Sequence, residues 1–281
     1  MSPRSVVVTG ASTGIGRATV LELVSAGFQV FATVRREADA EGLRRQFPEV
    51  VTPLIMDLLD EDSVRAAGEV VRADGPLFGL VNNAGAGFPG PLEILPIEVF
   101  RRQLEVNLTA QLLVTQVMLP ALRRSAEGVG DARIIMIGSI GGRIAGPMLG
   151  AYSAAKHGLV GLSGSLRAEL APSKIKVVLI EPGAIATPIW DRSRATGDGL
   201  QSADPKAWAR YADQLKAVRQ MAQRGATSGL DPAVPAKIIL AALQNGNPAP
   251  RQVIGREAKL MAAMVRVLPF RAVYRVSRAR R

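Results

Sequence analysis

At 281 residues, 48% of them apolar and 21% charged, the chain can bury a sizeable core, which excludes a mostly disordered protein. Cysteine is absent and His157 is the one histidine, so disulfides, thiol catalysis and Cys-based zinc sites are excluded, and any imidazole chemistry would have to run through one residue. The net charge is +11, but residues 251–281 hold nine Lys/Arg against the single acid Glu257. That segment therefore carries +8, and the ordinary body that remains argues against a nucleic-acid-binding core.

A short β-branched run at 5–9 predicts the first strand, and helical periodicity over 14–26 stops at Gly27. A strand at 29–34 and a helix at 38–47, closed by Pro48, come next. Then follow a strand at 51–56, a helix at 61–73 whose start is rich in acids, and a short apolar strand at 79–82. A long helical stretch covers 96–122, and a strand at 133–137, a helix at 152–170 and a strand at 176–180 complete the pattern. Strands alternating with helices predict right-handed βαβ units, and the near-continuous apolar strands predict a sheet buried on both faces. The expected fold class is α/β, a three-layer doubly wound parallel sheet forming one domain over 1–255, with a C-terminal helical extension over 256–281.

Residues 187–228 break the alternation with scattered Gly and Asp, Trp190, Trp208, Tyr211 and a helical stretch near 207–223, before a further helix at 232–243. An insertion after a strand's carboxyl end falls where open α/β sheets bind ligands, so a substrate lid is one reading and a surface excursion the other. No run approaches the ~18 uninterrupted apolar residues of a spanning helix, and Met1-Ser-Pro-Arg4 lacks a long apolar leader. A cytoplasmic location is expected.

The turn Thr9-Gly-Ala-Ser-Thr-Gly-Ile-Gly16 joins the first strand to the first helix. Gly10, Gly14 and Gly16 allow close backbone approach, and a helix N-terminus offers N–H groups and partial positive charge to a pyrophosphate. Ser12, Thr13 and Ile15 belong to the same cradle. The second strand ends Val34-Arg35-Arg36, where an NAD site would carry a carboxylate for the ribose 2′-OH. Two arginines suit a 2′-phosphate instead, so the expected cofactor is NADP(H). Asp57, with Leu58, stands where a carboxylate could accept from an adenine amine or cap the next helix. Asn82-Asn-Ala-Gly85 ends the fourth strand, where small residues and Gly let a dinucleotide lie across the sheet edge while the asparagine amides can pair with neighbouring backbone; Asn82, Ala84 and Gly85 are the candidate cofactor contacts.

Tyr152 and Lys156, four apart at a helix start, share one face. At about 4 Å and an effective dielectric near 20, an ammonium would favour the phenolate by about 4 kcal/mol, roughly three pK units before desolvation. Such a tyrosine can give or take the proton that accompanies hydride transfer. Ser139 follows the strand at 133–137 and can bond the same substrate oxygen. His157 is rotated about 100° from that face, towards solvent or another subunit. No metal site is expected.

These motifs, in order and spacing, resemble the short-chain dehydrogenase/reductase family over residues 5–187. The resemblance implies a Rossmann fold with seven parallel strands and a catalytic tetrad of Ser139, Tyr152, Lys156 and Asn107. In it Tyr is the acid/base, Ser orients the carbonyl, Lys lowers the Tyr pKa and holds the ribose, and Asn holds a relay water. It also implies that Pro182, Gly183, Ile185 and Thr187 clamp the nicotinamide, and that the long helices build a homodimer or homotetramer. Phe31-Ala-Thr-Val-Arg-Arg36 and Glu181 resemble the 17-beta-hydroxysteroid and retinol dehydrogenase branch.

Gly141, Ile144, Met148, Leu149, Ile189 and Trp190 are the candidate substrate contacts, mostly apolar and suited to a lipophilic secondary alcohol or ketone. The alternative is a catalytically idle NADP-binding sensor or scaffold at a membrane surface. In the tail, Leu260, Met264 and Leu268 form an apolar stripe, while past Pro269 Phe270, Val273, Tyr274 and Ser277 face away from Arg271, Arg275 and Arg278. Such a basic amphipathic segment suits peripheral contact with the inner membrane surface, or a flap on the substrate mouth or a partner subunit.

Overall fold

A computed structural model describes residues 4–128, 130–269 and 271–273. Phe270, Tyr274, Arg275, Ser277 and Arg278 of the tail lie outside the described residues. Seven strands form one parallel sheet in the order β3-β2-β1-β4-β5-β6-β7: β1 Ser5–Val8, β2 Gln29–Val34, β3 Val51–Ile55, β4 Gly79–Asn82, β5 Ala132–Ile137, β6 Ile175–Pro182 and β7 Arg251–Ile254. Strand β7 has no counterpart in the periodicity, because four residues opening on an arginine carry too little pattern.

Side chains alternate across the pleat, so each strand feeds two cores. Val7, Phe31, Leu80, Ile134, Met136, Val177 and Leu179 face one side. There they meet α3 Glu61–Asp74, α5 Ala110–Gly128 and α6 Gly150–Leu170. Val6, Val8, Val30, Val81, Ile135, Ile137, Val178 and Ile180 face the other. There they meet α1 Gly14–Ser25, α2 Glu37–Gln46 and α10 Ala233–Gln244. Two apolar faces explain why the strands read as unbroken apolar runs rather than as alternation.

The helical stretch expected over 96–122 is two helices. α4 Ile97–Leu104 runs into a π turn, Glu105–Thr109, before α5. The π turn inserts one residue into the helical ladder and turns Asn107 inward, where it is fully buried. The segment after β6 holds the helical stretch expected near 207–223, as α8 Pro205–Trp208 and α9 Ala212–Ser228, and a further helix, α7 Ile189–Ala203, that its scattered Gly and Asp do not suggest. Its two ends are stitched together: Ala186 N donates to the Leu230 carbonyl at 2.9 Å and Leu230 N to the Ala184 carbonyl at 3.0 Å. After β7 comes α11, Arg256–Val267.

Candidate active site

The chain winds outward from β1 through β2 to β3 and then crosses back to β4 on the other side of β1, so the winding reverses between β1 and β4 and a crevice opens at the carboxyl ends of those two strands. The glycine turn lines it. Gly10 and Gly14 have φ of 66° and 58°, and a Cβ on Gly16 would sit 2.3 Å from the Gly10 carbonyl oxygen. Thr13 caps α1 without a side-chain bond, and the first turn holds no acid, so no carboxylate of that turn offsets the helix's positive end. This cradle fits a dinucleotide pyrophosphate. Ser12 and Thr13 sit half-buried on it, and Ile15 packs its side chain against the core beneath.

The far wall is pinned to the near one through Thr9. Its hydroxyl accepts from the backbone N–H groups of Asn83 and Ala84, both at 2.9 Å, and its carbonyl accepts from Asn83 Nδ2 at 2.8 Å. Asn83 is thus the residue that ties β4 to β1, and its amide pairs with backbone as expected of this motif. Asn82 does something else: its amide is buried behind the sheet, where Nδ2 donates to Thr115 Oγ1 at 2.8 Å. A strand places neighbouring side chains on opposite faces, and this fixes which asparagine faces the crevice.

Leu58 likewise turns into the core rather than towards a nucleotide. Asp57 accepts from Leu59 N at 3.0 Å in a local turn, while Asp60 caps α3 through Asp62 N and Ser63 N. The capping alternative for Asp57 therefore falls. Arg35 is exposed, and Arg36 makes a bidentate pair with Asp39 at 2.9 Å.

Ser139 leaves the end of β5 and caps a 3-10 turn, Ile140–Gly142, by accepting from Gly141 N at 3.0 Å. Tyr152 and Lys156 stand on the first turns of α6. A Cβ on Gly141 would lie 3.1 Å from the Tyr152 ring and 3.4 Å from Ser139 Oγ, so the two hydroxyl-bearing groups share one space around that glycine. Lys156 Nζ donates to the Ile137 carbonyl at 2.9 Å and lies 5.9 Å from the Tyr152 ring centroid.

The electrostatics reverse the expectation for Tyr152. Burial raises the phenol pKa, only partly opposed by the hydrogen bond with Ser139. Burial also pulls Lys156 down to about 8, so the ammonium itself is disfavoured where it stands. The desolvation of both groups outweighs the attraction expected from their spacing.

Lys156 has a measurable signature. Its folded pKa lies below that of an unfolded lysine, so between about pH 8 and 10.5 the unfolded chain holds the extra proton and stability rises with pH. Relative to Lys156→Met, the native protein should gain up to about 3 kcal/mol between pH 7.5 and 10. Urea denaturation at both values measures this, and parallel curves for the two proteins would refute the buried, depressed amine.

Three amides one turn apart hold the loop after β4. Gln103 Nε2 and Asn107 Nδ2 both donate to the Ala86 carbonyl, at 2.9 and 2.7 Å, Asn107 Oδ1 accepts from Ala86 N at 3.1 Å, and Gln111 Nε2 donates to the Ala84 carbonyl at 3.0 Å. Sequence motifs do not reveal Gln103 and Gln111; the signal they do leave is polar residues at helical spacing on a buried face. Gly85 lies beneath this brace, where a Cβ would meet Asn107 Oδ1 at 2.8 Å.

At the end of β6, Glu181 is wholly buried. Burial alone would raise its pKa, but the hydrogen bonds and charges of Arg251 and Arg143 outweigh that and hold it below the usual carboxylate range. Arg143 Nε donates to it at 3.0 and 3.1 Å, and Arg251 Nε and Nη2 each donate at 2.6 Å. One carboxylate thus fastens the Ser139 turn, the Pro182-Gly183 turn and β7 together. Pro182 and Ile185 are buried, Gly183 N donates to the Ile254 carbonyl at 2.9 Å, and Thr187 lies against Gly14 of the cradle.

Of the candidate substrate contacts, Gly141 lies between the two hydroxyl groups. Trp190 packs on Gly225 of α9 and donates to the Ile185 carbonyl at 2.7 Å. Met148 clusters with Trp208 and Leu215, and its φ of 66° strains the turn leading into α6. Ile144 packs beneath α11 beside Met261 and Met264. Leu149 caps α6 and Ile189 opens α7, both half-buried. Of these candidates Met148 lines a cavity of about 220 Å³, together with Pro91, Leu92, Pro147, Tyr211 and Gln214. His157 is exposed, with Nδ1 2.8 Å from the Ser153 carbonyl and away from the site.

Residues 4–198 match the family model described as short chain dehydrogenase. The 3-amino-tetrahydro-pyrrolizinone reductase of Xenorhabdus hominickii is 43% identical over 205 residues, which span 71% of this chain and 68% of that protein. The NADPH-dependent 3-dehydrocapnine reductase of Ornithobacterium rhinotracheale is 38% identical over 204 residues, 72% of each chain. A crystal structure of a short-chain dehydrogenase from Streptomyces avermitilis superposes with a TM-score of 0.77 at 29% identity, covering 98% of both chains. The glycine cradle, the Ser139–Tyr152–Lys156 grouping and these likenesses agree, and the chain belongs to the short chain dehydrogenase family of oxidoreductases.

Proposed function

We propose that this protein reduces apolar ketones to secondary alcohols with NADPH. The observation that carries the reading is the shared space of Ser139 Oγ and the Tyr152 ring around Gly141, beside the glycine cradle. Gly10, Gly14 and Gly16 would hold the pyrophosphate of a reduced nicotinamide dinucleotide, which when bound would supply the hydride. Ser139 donates a hydrogen bond to the ketone oxygen and orients it. Tyr152, kept protonated by burial, donates its phenolic proton to the oxygen as negative charge develops there. Lys156 stands one turn further on to return a proton, and Asn107 holds the Ala86 loop in place. Hydride to carbon and proton to oxygen balance the reduction.

The choice of NADPH rests on β2, which ends without a carboxylate and with the exposed Arg35. The Ornithobacterium relative is an NADPH-dependent reductase. Residues 187–228 act as the lid: Thr187 meets Gly14, and a Cβ on Gly87 would lie 2.6 Å from Ser193 Oγ, so α7 lies across the loop after β4. The largely apolar cavity beneath α9, lined by Leu92, Pro147 and Met148, suits a lipophilic ketone of the steroid or retinoid kind.

NADPH consumption with a panel of apolar ketones tests the reading. Turnover is expected, with NADPH preferred over NADH by at least about tenfold, and Arg35→Asp should erase that preference. Tight NADPH binding with no turnover on any ketone would instead favour a sensor. An unchanged preference in Arg35→Asp would remove Arg35 from the 2′-phosphate site.

A further inference from the structure

Helix α11 is amphipathic twice over. At a hundred degrees per residue, Ala258, Met261, Ala262 and Val265 fall on one face. Ala258, Met261 and Ala262 are buried against the body, and Met261, Met264 and Val265 close over Ile144. Folding accounts for that face alone. The opposite face carries Leu260, Ala263 and Val267 in a ridge, and Leu260 is 63% and Val267 80% exposed. Arg256 heads the ridge, and exposed Lys259 and Arg266 run along one flank, against Glu257 on the other. Leu268 and Arg271, both exposed, extend it past the helix end.

We propose that this outer face of α11 is a docking surface for an anionic lipid bilayer, on which the helix lies flat. Charge decides the occupant. Residues 251–281 carry nine basic side chains and one acid, which match a negative lipid surface. A second copy of this chain docking face to face would set Arg256, Lys259 and Arg266 against the same residues, so like charges oppose that pairing. Exposed aliphatic side chains between basic ones suit the boundary between headgroups and acyl chains. Among the described residues no helix is long and apolar enough to cross a membrane, so this contact is peripheral. The assignment does not depend on the catalytic reading, and vesicle binding is measured without turnover.

The experiment is flotation of the full chain with phosphatidylcholine vesicles, with and without 30 mole per cent phosphatidylglycerol, at about 0.1 and 0.5 M NaCl. Binding is expected only with the anionic lipid, weakening at least about tenfold at the higher salt. Arg256→Glu/Lys259→Glu/Arg266→Glu should lower affinity at least about tenfold, and Leu260→Ser/Val267→Ser several-fold. All five positions are exposed, so the fold should persist by circular dichroism and thermal melting. No binding to anionic vesicles overturns the proposal. So does binding unchanged in both variants, which would place the contact elsewhere in the chain. A shift in oligomeric state by light scattering for Leu260→Ser/Val267→Ser, without vesicle binding by the native chain, would overturn it in favour of a subunit interface.

Discussion

Tyr152→Phe should lower kcat for ketone reduction by about 10²- to 10⁴-fold, the span usual for loss of a positioned general acid. The ring is retained, so the packing beside Gly141 and the thermal midpoint should barely change. NADPH affinity should stay within about tenfold, because the cradle is built by the turn between β1 and α1 and not by this side chain. The pH profile separates chemistry from packing. Burial raises the phenol, so it stays protonated through neutral pH, and the reductive rate of the native enzyme should fall only on the alkaline side. The residual rate of the Phe variant should lack that alkaline limb. Ser139→Ala should cost less, since orientation is weakened while the proton source remains. A Phe variant keeping more than about a tenth of the native rate would exclude Tyr152 as the acid.

Glu181→Leu should cost about 3 kcal/mol of folding stability, towards the low end for breaking a buried ion pair. The Glu181 side chain is fully buried, whereas those of Arg143 and Arg251 are 20% and 35% exposed and can turn partly to water, which limits the loss. Without the carboxylate two guanidinium groups face each other behind the Ser139 turn. A Cβ on Gly138 would lie 3.4 Å from Glu181 Cγ, so the damage reaches the strand end that carries Ser139 and the carbonyl bound by Lys156. Arg143→Met should cost less, because Arg251 still neutralises the carboxylate. The sign with pH follows from the lowered pKa of Glu181. Its contribution is full above the ordinary carboxylate pKa of about 4.3 and is lost as pH falls through the lower folded value. Glu181→Leu should therefore lie well below the native protein at pH 7 by urea denaturation and approach it in acid. Equal stabilities at pH 7 would falsify the clamp.

Patterns confined to a few consecutive residues are legible in the amino-acid order. The glycine turn punctuates β1 and α1, the four-residue spacing of Tyr152 and Lys156 follows from helix geometry, and unbroken apolar strands announce a sheet covered on both faces. Facing is harder to read. Asn82 and Asn83 are adjacent and chemically identical, yet a strand sends them to opposite sides, and Leu58 turns into the core where a nucleotide contact is expected. The π turn at Glu105–Thr109 falls between Gln103 and Gln111, yet both still share one buried face with Asn107, and no motif announces that.

The amino-acid order by itself determined the alternation of elements, the glycine turn and the placing of Tyr152 and Lys156 on one helix face, because propensity, periodicity and glycine freedom act over a few bonds. Only the tertiary structure decided that burial raises Tyr152 and lowers Lys156, and that Glu181 joins arginines 38 positions before it and 70 after it. It likewise decided that α11 leaves a second apolar ridge in water. Desolvation and ion pairing depend on how many atoms crowd a group from distant parts of the chain, and that crowding exists only once the crossovers have stacked the layers.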